Sequence, residues 1–258
     1  MSRKLLFALI FVIPLLFSVS REAHAGVITN RSVYLSVNSG LVGYWTFDGN
    51  HLSGTTASDQ SGNGNSGTLT NGPVASMGKI GQALSFDGEN DVVDAASPAT
   101  LDNLGPMTVS AWIRPMNEGE GNSGAVVFKG TATDGNGFWR FALTSTNAIQ
   151  FVKDHATTDL TRTTSNNTIT REAWQHVAVT WDGNSTAIDV RIYVNGAEAS
   201  YQTTTNGAGA ENADAALSLF VGNDSAGGVT FNGSIDDVRV YNRALSNAEI
   251  TRVYKGGL

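Results

Sequence analysis

Residues 57–69, ASDQSGNGNSGTL, set Asp59, Ser61, Asn63 and Asn65 at alternate positions, each with an oxygen able to meet a hard cation. Calcium gathers about six to eight oxygens at about 2.3–2.6 Å from carboxylates, amides and backbone carbonyls. Gly62 and Gly64 let the backbone turn so that its own carbonyls point inward. One carboxylate is too little charge for a firm site, so further acids must come from elsewhere. Asp48, closing GYWTFD, and Asp236-Asp237, inside GSIDDVRVY, are the candidates. The plainer alternative is that Asp59 and the asparagines make Asx turns while Asp236 and Asp237 decorate an edge strand. A phosphate cradle is disfavoured, because there is no GK[ST] and no strand-to-helix context.

A second set of acids raises hydrolysis. Glu89-Asn90-Asp91-Val92-Val93-Asp94 approaches the alternating Glu, Asp, Glu pattern of a retaining glycosidase, whose carboxyl pair stands about 5–5.5 Å apart. The last acid is an Asp, which shortens the reach. A polar Asn follows the first Glu, where an apolar residue should pack. His155 falls in a polar loop and His176 on a regular strand, and neither neighbours a nucleophile elbow. No zinc spacing occurs.

Sugar recognition calls for an exposed aromatic ring with amide, acid or guanidinium groups around it. Phe138 and Trp139, followed by Arg140 beside the TDGNG turn, are the candidates, with Phe231 near the final strand. Trp45, Trp112, Trp174 and Trp181 sit in core-like patterns. Loops at 134–137, 153–162 and 206–214 can contribute polar groups, or can be no more than solvated turns.

Short strands must position all of these groups. Apolar alternation recurs from Leu41 onward, each run bounded by turn residues. MTVSAWIRP puts Val109, Ala111 and Ile113 on one face. In WQHVAVTWDG, Gln175, Val177, Val179 and Trp181 face one way and Trp174, His176, Ala178 and Thr180 the other. Val190, Ile192 and Val194 share a face before Asn195-Gly196, the strongest two-residue hairpin signal. Only the end of the chain reads as helix: Ser246 caps SNAEITRVY and Glu249 closes a capping box. Strands at this spacing predict an all-β fold of two antiparallel sheets packed face to face, a jelly roll or related sandwich.

The chain opens MSRKLLFALIFVIPLLFSVSREAHAG: a basic start, an apolar run and an A-x-A motif, the pattern of a secretory leader cleaved after Ala25. The run is shorter than the roughly 20 residues that span a bilayer. Residues 26–40 read as a lead-in and 41–258 as one domain. The formal charge is −7, and losing the leader leaves the remainder more acidic still. That argues against nucleic acid and anionic lipid as partners and suits divalent cations. There is no cysteine, so the core, or a metal, must offset chain entropy unaided.

In order along the chain, GYWTFD, DQSGNGNSGTL, GQALSFDGENDVV, MTVSAWIRP, WQHVAVTWDG, IYVNG and GSIDDVRVYNRALSNAEI resemble the laminin-G-like (concanavalin A-like lectin/glucanase) jelly-roll domains of secreted bacterial proteins. The resemblance spans about Leu41 to Tyr254. It implies a sandwich of about a dozen strands whose terminal strands lie side by side, so that Asp48, the Asp59 loop and the Asp236/Asp237 pair converge on a structural calcium ion. Adjacent strand residues point to opposite faces. One of Asp236 and Asp237 should then face the site and the other solvent, unless a bulge turns both. Because Asp236 shares parity with Val238 and Val240, it is expected inward as the buried ligand. In the non-catalytic members the acids of SFDGENDVV belong to a turn. The expected function is a secreted, non-catalytic module that binds an extracellular polysaccharide or glycoprotein, with no membrane insertion after leader removal. A structural or adhesive protein-interaction domain is the alternative, and a laminarinase-type hydrolase the third reading.

Overall fold

The alternating runs become strands. The computed structural model describes residues 37–117, 119, 121, 123–131, 137–224 and 226–256, so the predicted leader and residues 26–36 lie outside the described residues. The first strands are β1 (Leu41–Trp45), β2 (Leu52–Ser53), β3 (Thr56–Ala57), β4 (Gly67–Thr70), β5 (Val74–Met77), β6 (Gln82–Asp87) and β7 (Val92–Asp94). Then come β8 (Met107–Pro115), β9 (Ser123–Lys129), β10 (Trp139–Thr144), β11 (Ile149–Lys153), β12 (Leu160–Thr164) and β13 (Gln175–Trp181). The last are β14 (Arg191–Val194), β15 (Ala197–Glu198), β16 (Tyr201–Thr205), β17 (Leu219–Val221) and β18 (Asn232–Tyr241), followed by a helix over Asn247–Tyr254.

Two antiparallel sheets result. One runs β15-β14-β13-β8-β18-β6-β5 with β1 also paired to β18, and the other runs β16-β12-β11-β10-β9-β17-β7-β4-β3-β2. Their inner faces interdigitate as the alternation requires. Val109, Ala111, Ile113, Val177, Val179 and Trp181 from the first sheet share one buried cluster with Trp139, Phe141, Leu143, Ile149 and Phe151 from the second. Each such side chain contributes about 1.5–3 kcal/mol when fully buried, which is how a chain without disulfides holds together. Trp45 joins this core as expected. Trp112 is buried on the opposite face of β8, against His176 and Tyr254. Trp174, expected in the core, is only half-buried.

The two sharpest local expectations hold. Asn195 and Gly196 both take positive φ, 51° and 79°, in the turn joining β14 to β15. Ser246 caps the C-terminal helix, with a complete capping box to Glu249. That helix buries Ile250 and Val253 with Tyr193, Tyr241, Leu245 and Val37 on the outer side of the eight-stranded sheet. The packed domain therefore already includes Val37, within the expected lead-in.

β18 positions the site. One edge pairs with β8 throughout, apart from a bulge between Asp236 and Arg239. The other edge pairs with β6 over Asn232–Ile235, then with β1 over Val238–Tyr241. The neighbour changes at Asp236-Asp237, where Asp237 takes φ 54°. A bulge of this kind inserts an extra residue and resets the inward-outward phase. Ile235 and Val238 consequently both enter the core.

Candidate functional site

The expected single cluster of Asp48, Asp59, Ser61, Asn63, Asn65, Asp236 and Asp237 is divided in three. The Asp59 loop lies along the free edge of β1. Asp59 Oδ1 accepts from the Tyr44 and Ser61 backbone N–H, and Oδ2 accepts from the Asn65 N–H and the Ser61 hydroxyl. Asn63 and Asn65 donate their side-chain amides to the carbonyls of Leu41 and Val42. Trp45 Nε1–H donates to the Asn65 carbonyl. These are Asx-type contacts that satisfy and cover an exposed strand edge. Both Asp59 oxygens already face N–H and O–H donors, which leaves this loop organising its own backbone rather than facing a cation.

Asp237 forms the second group. Its Oδ2 lies 3.0 Å from the Arg239 guanidinium, and its Oδ1 accepts from the Tyr44 hydroxyl at 2.6 Å. Arg239 also donates to that hydroxyl and stacks 4.5 Å over the Tyr44 ring. Burial opposes the guanidinium's charge, but Asp237 beside it holds the pKa above the usual arginine value. Burial pushes the Tyr44 hydroxyl up to about 12.

Asp48 and Asp236 do meet, around the turn joining β5 to β6. Asp236 Oδ2 accepts from the N–H groups of Lys79 and Ile80, and Asp48 Oδ1 accepts from Gln82 N–H. A Cβ at Gly81 would collide with Asp48 Oδ1. Asp236 is fully buried, yet its Oδ1 has no partner. Desolvation raises its pKa to about 7, with Asp237 and Asp48 adding to the effect. Parity placed Asp236 in the sandwich core. The bulge corrects this: Asp236 lies opposite Trp112 on the outer face of the sheet, because paired residues point to the same side. Among the described residues no three acids or histidines cluster as a metal cage. Two carboxylates and an orphaned oxygen nevertheless fit a hard cation better than they fit an unrelieved buried acid.

The predicted sugar-facing aromatics are also redistributed. Trp139 is completely buried in the core and Phe231 is 1 % exposed there. The physical reason is phase: Trp139, Phe141 and Leu143 line the inner side of β10, and Phe231 shares parity with Ile235. Phe138 and Arg140 do lie together on the outer side. Phe138 stacks on Phe128 at 6.1 Å, and Arg140 is paired with Phe128 across the strands and donates to Gln150 at 3.0 Å. Phe138 is buried too, so it presents no free ring.

Of the three candidate loops, 134–136 lies outside the described residues, but Gly137 donates to Asp154, which also accepts from Asn212. His155 bridges to Glu211 and Thr158 to Ala208. Gly137 and the other two loops thus meet at one corner. Beneath it the fully buried Lys153 ammonium lies 3.3 Å from Glu211 and 3.5 Å from Asp214.

Sequence reasoning missed two open clefts at the β6–β7 end. One, of about 860 Å³, is lined by Asp87, Glu89, Asn90, Asn117, Arg171 and Asn232. The other, of about 390 Å³, is lined by Asn71, Asn90, Val92, Asp94, Phe220, Asn223 and Asp224. Asn90 belongs to both. Glu89 stands exposed in the turn, and Asp87 Oδ1 accepts from the Glu89 and Asn90 N–H groups, holding its pKa low. Asp91 is buried and raised by desolvation. These acids serve a turn, as the family resemblance implied, and do not stand as an alternating row on a strand. The missed signal is LFV within LSLFVG: three apolar residues in a row mean that Phe220, opposite in phase to the core residues Leu219 and Val221, is covered rather than solvated.

Residues 87–251, well over half of the chain, match the family model described as the concanavalin A-like lectin/glucanases superfamily. No curated protein sequence matches the chain. Among solved structures it is similar to the binding domain of Paraclostridial Mosquitocidal Protein 1, with TM-score 0.64 and 16 % identity, covering 85 % of this chain and 53 % of that one. Domain 4 of an extracellular family 43 arabinanase from Geobacillus stearothermophilus, solved with arabinotriose, gives TM-score 0.57 and 22 % identity over 83 % of this chain and 98 % of that domain. Trypanosoma rangeli sialidase gives 0.58 and 16 %, over 84 % of this chain and 32 % of the enzyme. The chain therefore spans about half of the toxin binding domain and a third of the sialidase. At these identities the likeness is one of fold.

Proposed function

The chain belongs to the concanavalin A-like lectin/glucanases superfamily, and from that premise we propose that it is a non-catalytic carbohydrate-binding module. The observation that carries this reading is the pair of clefts meeting at Asn90. In the smaller cleft amides and carboxylates from three turns, with Asp94 of β7, stand over the largely buried Val92 and Phe220, and in the larger one Asn90 is joined by Asn117, Arg171 and Asn232. Such a lining offers donors and acceptors for sugar hydroxyls beside an apolar surface. The arabinanase domain solved with arabinotriose supports the ligand class without naming this chain's sugar. The turn position of Glu89 and the burial of Asp91 support the absence of hydrolysis. The leader-like start supports a location outside the cytoplasm. Among the described residues no helix is long and apolar enough to cross a membrane.

The module also carries calcium in this proposal, held by Asp48 and Asp236. The ion would supply positive charge to two carboxylates that grip one turn, tying residues near β1 to the middle of β18. Gln82 Oε1, beside Gly49, is a third oxygen in the same neighbourhood.

Calorimetric titration of the purified chain against a panel of neutral oligosaccharides, with calcium present, tests the reading. Binding of at least one, weakened about tenfold by Asn90→Ala, is expected from loss of hydrogen bonds at a shared position. Binding that Asn90→Ala leaves untouched, or release of reducing sugar from a bound glycan, overturns it. Calcium is tested separately: EDTA should lower the melting temperature, and Asp236→Asn should melt alike with and without the chelator. Identical wild-type curves in EDTA and in excess calcium exclude the ion.

A further inference from the structure

A third cavity lies elsewhere, on the outer side of the eight-stranded sheet where the β5–β6 turn meets the end of the C-terminal helix. It measures about 460 Å³ and is lined by Lys79, Ile80, Trp112, Tyr254, Lys255 and Gly256. It shares no residue with the clefts at Asn90. Among the described residues its lining holds two ammonium groups and no carboxylate, in a chain whose net charge is −7. Neither lysine forms an ion pair with an acid of the described residues.

The floor is aromatic and fixed. Trp112 sits between β13 and β18, opposite His176 and Asp236, and its Nε1–H is buried without a partner. Tyr254 tilts against it at 5.5 Å, and Lys79 Nζ rests 5.0 Å over the indole. Ile80 adds an aliphatic wall, 39 % exposed. The backbone beneath Lys79 and Ile80 is pinned by Asp236 at 2.8 and 2.9 Å, so the turn presents its side chains from a set position. An apolar wall beside exposed cations complements a ring with one apolar face and an anionic substituent.

We propose that this cavity is a second binding site, taking an anionic sugar residue whose carboxylate or sulfate pairs with Lys79 and Lys255 while its apolar face lies on Ile80 and Tyr254, with the buried Trp112 backing them. The charge complementarity carries the choice of an anion, and the mixed aromatic and aliphatic lining carries the choice of a ring. The site stands whether or not the clefts at Asn90 bind neutral glycans.

Calorimetry of the full chain against oligogalacturonate, a sulfated oligosaccharide and a neutral oligosaccharide of equal length tests it. One or both anionic ligands should bind, and the one that binds identifies the group recognised. Affinity should fall with added salt and about tenfold in the double variant Lys79→Gln/Lys255→Gln, the loss of two charge-assisted contacts. Both lysines are exposed, so the double variant should melt with the wild type. Asn90→Ala should leave anionic binding unchanged. No binding of either anion, wild-type affinity in the double variant, or loss of anionic binding in Asn90→Ala each overturns the proposal.

Discussion

Replacing Asp59 by alanine separates an organiser of loop structure from a metal ligand. The carboxylate accepts three backbone N–H bonds, from Tyr44, Ser61 and Asn65, and one from the Ser61 hydroxyl. A hydrogen bond to a charged group contributes about 1.5–3 kcal/mol in a buried setting. This residue is only half-buried, and water can take over part of the loop's N–H groups, so the total is nearer 2–3 kcal/mol than the full sum. In a domain of this size each kcal/mol moves the melting temperature by about 2–4 °C, which gives about 5–10 °C. Asp59→Asn keeps Oδ1 for Tyr44 and Ser61 but turns a donor toward the Asn65 N–H, and should lose roughly half as much. Differential scanning calorimetry in calcium and again in EDTA supplies the decisive comparison. The Asp59→Ala deficit should be equal in both buffers. A deficit that disappears in EDTA would make Asp59 a calcium ligand after all, and a variant that melts with the wild type would show that these four contacts do not hold the loop.

Two further outcomes follow from buried or capping groups. His176, 1 % exposed between Trp112 and Tyr254, is depressed to about 3, first by burial and then by Arg239. The unfolded chain therefore binds its proton near pH 6.5 while the folded chain does not. The associated stability is complete above that pH and is lost as pH falls toward 3, by about 1 kcal/mol between pH 6 and 5. Asp236, raised to about 7, gains about as much over the same interval. Urea titrations at those two pH values should therefore show the His176 loss as the difference between the wild type and His176→Phe. Ser246→Ala removes the hydroxyl that accepts from Glu249 N–H and should cost about 1 kcal/mol, or about 2–4 °C in a melting curve. No change would mean that Glu249, through Arg243 and the Ser246 N–H, holds the cap alone.

The sequence was most readable where apolar and more polar side chains alternate along a strand, although both faces of β8 and β13 end up covered. β8, β13 and the Asn195-Gly196 hairpin announce themselves by period-two alternation and by a turn that needs positive φ at both positions. The capping box was equally plain, because its partners are three residues apart. Two-residue strands such as β2 and β3 carry no period, and residues 57–69, which contribute to β3 and β4, read as loop alone. Asp236 was misplaced because parity cannot see a bulge: one extra residue put Ile235 and Val238 on the same side. Phe138 and Trp139 were taken together because an FW pair does not say which ring faces in, although Trp139, Phe141 and Leu143 already had the common parity that settles it. The clefts at Asn90 were hidden because their linings come from turns far apart in sequence, brought together only by the sheet order.

The place of β18 has a consequence for the order in which the molecule can be made. The segment from residue 232 to 241 is the plank on which β8, β6 and β1 all rest, yet it follows all three along the chain. Before it arrives, those three strands have no common neighbour, and their pairing must bridge separations of well over 100 residues. Contacts of such span are slow to form. The eight-stranded sheet therefore cannot close across β8, β6 and β1 until β18 is delivered, and a ribosome stalled just short of Asn232 would display a sandwich with its middle slat missing.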